Sequence, residues 1–169
     1  MSNDLPQPRS LTTLESAREV DAFLASARQL RRAEQGSAGA CHLLRGKNLG
    51  LVCDSEEHPA ALLFRSAASA LGANVSHIRA HPDEPDAPAG AGLLETARVL
   101  GRLYDGIECQ GLAPELVRQL GRDAGVPVFD WLAGPNHPTA QLAQRLAGSG
   151  SLAKKRQLIL QAVLLFALR

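Results

Sequence analysis

The sequence predicts an α/β domain, a three-layer sandwich with a central parallel sheet of about four strands and helices on both faces. Three observations predict it. Short apolar runs alternate along the chain with stretches whose apolar residues recur at three- and four-residue spacing. Such alternation implies parallel strands joined by right-handed crossovers. Helix-start and helix-stop residues fall where the alternation needs them, with Pro59 and Pro114 opening helical stretches and Gly72 and Gly125 closing them. Finally, 169 residues with 45% apolar content make one domain with a real core.

The elements follow in order. Residues 1–10 are polar with two prolines and read as a flexible tail. Thr12-Thr13-Leu14-Glu15 has capping-box spacing, in which threonine and glutamate satisfy each other's helix-start amides. Val20, Phe23, Leu24, Ala27 and Leu30 then predict an amphipathic helix to about Arg32. Residues 48–53 (NLGLVC) read as a buried strand, 59–71 as a helix and 74–79 as a second strand. Residues 81–92 (HPDEPDAPAGAG) hold three prolines and two glycines and read as a mobile loop. A helix over 94–103 and a strand over 105–109 follow. Leu116, Val117, Leu120 and Ala124 give the next helix one apolar face, and residues 126–130 form a fourth strand that Pro127 weakens.

Residues 148–151 (GSGS) read as a hinge, so that 11–147 form the domain and 152–169 its C-terminal helix, packed back on it. The run 158–168 (LILQAVLLFAL) is almost wholly apolar but spans only 11 residues. A membrane helix needs about 20, so a core helix is the better reading. No internal repeat is visible.

Composition excludes several classes. A net charge of +1 leaves no basic field for nucleic acid or an anionic membrane. One tryptophan and one tyrosine cannot build an aromatic platform for single strands. Cys41, Cys53 and Cys109 show no C-x-x-C spacing; Cys53 and Cys109 end apolar runs and read as buried thiols. The start MSNDLPQPRS has no apolar signal region, which predicts a cytoplasmic chain. Gly-rich phosphate loops, G-x-S-x-G elbows and Cys/His pairings are absent from the sequence. Asp105, Asp130 and His137 are expected near strand ends, yet their spacing is not ligand-like, so neither metal nor cofactor is expected.

Two stretches carry a resemblance. Residues 44–72 (LRGKNLGLVCDSEEHPAALLFRSAASALG) and 95–143 (ETARVLGRLYDGIECQGLAPELVRQLGRDAGVPVFDWLAGPNHPTAQLA) resemble the carbamoyl-phosphate domain of ornithine carbamoyltransferases. In that family the first strand runs into Ser-Thr-Arg-Thr-Arg at the start of a helix, where free amides, the helix dipole and arginines hold phosphate. The five matching positions here are Glu57, His58, Pro59, Ala60 and Ala61. Pro59 removes a backbone N–H where donors are wanted, and Glu56 and Glu57 bring like charge to an anion site. Carboxylates there also read simply as helix-start chemistry. The family's Arg-Gly after the third strand reads Gln110-Gly111, and its His-Pro-Thr-Gln reads His137-Pro138-Thr139-Ala140, with Gln141 expected to point elsewhere. His137, before a proline at a helix start, reads as structural rather than catalytic.

The resemblance implies a loop before Glu95 that lends polar and basic groups to a neighbouring subunit's site. Residues 81–92 contain neither lysine nor arginine. It also implies that the last helix crosses back from a second, amino-acid-binding domain, which residues 148–151 here replace. The expectation is a non-catalytic relative acting as an assembly or regulatory module, as a homotrimer or in mixed oligomers with a full-length carbamoyltransferase. Two alternatives stay open. One is a small-molecule binding module using the remaining crevice, with His58, Gln110, His137 and Thr139 as polar lining. The other is a residual carbamoyltransferase.

Overall fold

The computed structural model describes residues 17–36, 42–80, 90 and 92–168. The elements are α1 (Ala17–Gln35), β1 (Asn48–Cys53), α2 (Pro59–Ala70), β2 (Asn74–Arg79), α3 (Leu93–Leu103), β3 (Gly106–Cys109), α4 (Pro114–Ala124), β4 (Val128–Asp130), α5 (Pro138–Arg145) and α6 (Leu152–Leu168). The four strands form one sheet in the order β2-β1-β3-β4. Every neighbouring pair is parallel, with Leu49 opposite Val75 and Gly106, and Ile107 opposite Val128. The tail 1–10, the capping box at Thr12–Glu15 and most of the 81–92 loop lie outside the described residues.

Strand side chains alternate between two cores, as the period of two requires. Leu49, Leu51, Cys53 and Phe129 enter the larger core, closed by α1, α2, α5 and α6. Val52, Ile107, Cys109 and Val128 enter the smaller one, beneath α3 and α4. Helices therefore cover both faces, as the sequence predicts. Phe23, Leu24, Ala27 and Leu30 of α1 are buried as expected.

The apolar run of α6 has its physical reason in this packing. Residues 158–165 are all buried, with α1, α2 and α5 packed around the helix. A helix enclosed on most sides has no need of a polar face. Among the described residues no helix is long and apolar enough to cross a membrane. The glycine–serine link before α6 is tied at both ends. The Arg31 guanidinium donates to Ala147 O at 2.6 Å, and Ser151 Oγ accepts from Lys154 N at 3.2 Å. Lys154 Nζ then donates to Glu34 at 2.8 Å.

Several boundaries differ from expectation, by one residue at the end of α2 (Ala70) and the start of α3 (Leu93) and more tellingly in three others. α1 runs on to Gln35, three residues past Arg32. β4 begins at Val128 rather than Val126. Pro127 cannot donate to the ladder, although its carbonyl accepts from Ile107 N at 2.9 Å. β3 begins at Gly106 because Asp105 turns its side chain to the neighbouring strand, accepting from Asn48 N at 2.8 Å and pairing with Lys47 at 3.2 Å. That places Asp105 at the N-terminal edge of the sheet.

α3 and α4 meet at Gly101, where an added Cβ would stand 1.9 Å from Ala124 O. Gly101→Ala is therefore expected to force the two helices apart and cost about 1–3 kcal/mol despite alanine's better helix propensity. A urea unfolding curve with an unchanged midpoint would contradict that close approach.

Candidate functional site

The chain leaves β1 through α2 on one face and reaches β2 on one side. It then returns through α3 on the other face to β3, on β1's opposite side. The loops after β1 and β3 part at this point, and in open parallel sheets such a switch point leaves a ligand crevice at the carboxyl ends of the strands. A cavity of about 170 Å³ sits there. Cys53, Asp54 and Ser55 line it from the end of β1, His58 from the start of α2, Gln110 from beyond β3, and Trp131 from beyond β4. Trp131 also walls a second cavity of about 220 Å³, which reaches His137 and Pro138 at the start of α5. No lysine or arginine lines either cavity among the described residues.

The start of α2 is already capped. His58 Nδ1 accepts from Ala60 N at 3.2 Å, and Pro59, at the first helical position, has no N–H to offer. This corrects the expectation that Glu56 or Glu57 supplies the helix-start chemistry. Glu56 instead pairs with Arg65 of the same helix, and that hydrogen bond holds its carboxyl below the usual range. Glu57, His58 and Pro59 are exposed, whereas Ala60 and Ala61 are buried in the larger core.

The start of α5 repeats the arrangement. His137 Nδ1 accepts from Thr139 N at 3.2 Å, again with a proline at the first helical position. Thr139 is buried, and its hydroxyl donates to Leu132 O at 2.8 Å. Ala140 is half-buried and Gln141 exposed. Two of the chain's three His-Pro dipeptides thus mark histidine caps, while the third, His81-Pro82, lies outside the described residues. The structure brings His58 and Gln110 to the first cavity and His137 to the second, whereas Glu57 lines neither. Asp105 lies at the end of the sheet opposite Asp130, and no group of metal-ligating side chains exists among the described residues.

Beneath the crevice lies a residue the sequence did not single out. Glu108 is fully buried in β3, and its carboxyl accepts from Gln110 Nε2 and Leu132 N at 3.2 Å and from Ala133 N at 3.5 Å. Burial pushes it up to about 8; the three donors oppose this and Asp130 adds to it. Gln110 is itself 5% exposed, and its Oε1 is buried without a partner among the described residues. Burial also raises the thiols of Cys53 and Cys109, so neither is poised as a nucleophile. Trp131 holds a left-handed backbone (φ 52°) and remains 39% exposed.

An open parallel sheet with its crevice at the switch point defines the class, a doubly wound α/β binding domain. Residues 9–147 match the carbamoyl-P binding domain of the aspartate/ornithine carbamoyltransferases, and the chain belongs to that family. It is 40% identical over 128 residues to the catabolic ornithine carbamoyltransferase of Burkholderia mallei, covering 76% of this chain and 37% of that protein. With the catabolic enzyme of Pseudomonas putida it shares 37% over 140 residues, 82% of this chain and 41% of the other. Among solved structures, ornithine carbamoyltransferase from Pyrococcus furiosus superposes with a TM-score of 0.65 at 25% identity, covering 82% and 44% of the two chains. The enzyme from Thermus thermophilus gives 0.63 at 25% identity, with 84% and 47% covered. The chain thus spans about two fifths of the length of the curated relatives it matches.

Proposed function

We propose that this chain is a non-catalytic member of its family, serving in the cytoplasm as an assembly or regulatory module. One observation carries the reading. The helix start that would hold phosphate is closed by its own residues, with the His58 ring on the amide of Ala60, no N–H at Pro59, and, among the described residues, no cationic side chain lining the cavity. A dianion finds no neutralising charge there among the described residues, and the capped helix start withholds the amide of Ala60. The relatives named above act as ornithine carbamoyltransferases over lengths more than twice the aligned region, so the second substrate's site needs residues beyond this domain. The function left to the fold is association, as a homotrimer or with a full-length carbamoyltransferase.

Native mass spectrometry of the protein alone and mixed with its host's ornithine carbamoyltransferase tests the association, and mixed oligomers are the expected result. A radiolabelled carbamoyl phosphate assay tests the absence of chemistry. Transfer to ornithine above the uncatalysed rate would restore the reading as a residual carbamoyltransferase. A second reading, a small-molecule binding module, is favoured by the crevice itself, a cavity of about 170 Å³ that stays open between Asp54, His58, Gln110 and Trp131.

A further inference from the structure

We propose that Glu108 makes one wall of the crevice a proton-controlled latch: the loop 131–134 stays shut over the neutral acid and opens locally, ahead of the rest of the domain, when that acid ionises. The device is independent of what the crevice binds, and so goes beyond both readings above.

The loop is built to be held. It walls the first cavity through Trp131 and the second through Trp131 and Gly134. Trp131 N donates to Cys109 O at 2.8 Å, and the Glu108 carboxyl accepts from Leu132 N at 3.2 Å and Ala133 N at 3.5 Å. The Thr139 hydroxyl of α5 donates to Leu132 O at 2.8 Å. From α6, Arg156 donates to Ala133 O at 2.8 Å and to Gly134 O at 3.0 Å. These bonds close a turn in which Trp131 takes the left-handed conformation (φ 52°). Strain of that kind persists only where the surroundings over-determine it, so weakening one clamp releases the loop before the strands. Of the three clamping side chains, Glu108 alone is an acid.

The position of that acid sets the direction. Glu108 stands in register with Leu51 and Phe129, both buried in the larger core, and is itself 0% exposed. Its donors are neutral N–H groups, and a carboxylate buried without a counter-ion costs more than such donors return. No neighbour supplies the counter-ion. Arg156 of α6 spends its guanidinium on the two loop carbonyls. Asp130 of β4 adds like charge, itself acted on by Arg118 and Glu115 of α4. The thiols of Cys53 and Cys109, on β1 and β3, are held up by burial. His58 and His137 turn Nδ1 to the starts of their own helices. Opening the loop admits water to the carboxylate, so ionisation and opening favour each other. Burial pushes the folded acid up to about 8 from its ordinary 4.5, and between those values each pH unit makes the open form about tenfold more populated. Below the interval both forms hold the proton; above it neither does.

Native-state hydrogen exchange of the full chain, read residue by residue by NMR between pH 6 and 8 with and without low urea, tests the latch. Protection is taken after division by the intrinsic exchange rate, which itself rises with pH. The amides of Leu132 and Ala133 are expected to be less protected than Ile107 N, which donates to Pro127 O between β3 and β4, by roughly tenfold or more. Their protection should fall about tenfold per pH unit and ignore low urea, because local opening exposes little surface. Glu108→Gln should remove the pH dependence and keep the indifference to urea. Loop amides that share the protection and urea dependence of Ile107 exchange only by unfolding of the whole domain, and overturn the latch. So does loop protection that does not change with pH in the parent chain, or a slope that survives Glu108→Gln. The first two of these outcomes need no variant, so the parent chain alone can refute the proposal.

Discussion

Glu108→Gln is expected to make the domain several kcal/mol more stable at pH 8.5 and to flatten its stability between pH 5 and 8.5. The reason is linkage. In the folded chain the Glu108 carboxyl titrates near 8, against its ordinary 4.5. Below about 4.5 both folded and unfolded forms hold the proton, and the group's full contribution is present. As pH rises through the interval the unfolded chain releases its proton first, so stability falls with a limiting slope of about 1.4 kcal/mol per pH unit. By the upper end the loss approaches about 5 kcal/mol, a large share of the 5–15 kcal/mol typical of a domain. Glutamine has no such transition. Its carbonyl, in the place of Oε2, can keep the bond from Leu132 N, and its amide, in the place of Oε1, can donate to Gln110 Oε1 once that side chain turns, so only the long 3.5 Å contact from Ala133 N is given up. Urea unfolding of both proteins at pH 5 and 8.5 checks this, and parallel pH profiles would show that Glu108 is not the group responsible.

Why Glu108 escapes a reading of the sequence is instructive. The stretch Gly106–Cys109 (GIEC) looks like a strand with one polar position, and a glutamate at such a position ordinarily faces water. What buries it is a pair of backbone N–H groups at Leu132 and Ala133, in a loop 24 and 25 residues further on that no local pattern connects to it. Trp131 is similar, because nothing in VFDWLAG announces that the tryptophan takes the left-handed position a glycine would hold without strain. The frame was legible for the opposite reason. β1, β2 and α2 follow from local apolar period, Pro59 and Gly72, and the parallel pairing follows from alternation with helices, whereas the order β2-β1-β3-β4 is set by long-range packing. The altered anion site was readable as well, since Glu57 to Ala61 stand in register with a family motif; only its geometry was misjudged, with a histidine ring rather than a carboxylate capping the helix.

That geometry sets the second large effect. The resemblance places an arginine at Pro59 and another at Ala61, and the two positions are not equivalent here. Pro59 is exposed on the first turn of α2, whereas Ala61 is 0% exposed in the core that also holds Phe64. Pro59→Arg forfeits only a favourable first-turn proline and is expected to change stability by less than about 1 kcal/mol. Ala61→Arg must place a guanidinium and its stem where a methyl fits. Overpacking costs about 1–3 kcal/mol and an unpaired buried charge several more, so a loss of about 4 kcal/mol or more is expected. For a domain of this size that lowers Tm by about 10 °C or more. Thermal unfolding of the two single variants measures the contrast directly. If Ala61→Arg melts close to the parent protein, α2 can turn that position outward, and the motif has been lost from its side chains alone. If it melts far below, the loss has been built into the packing of the helix. Reinstating the arginines one by one then cannot recreate a phosphate site, because α2 would have to rotate against α6, which packs against it, before the second guanidinium could reach the crevice.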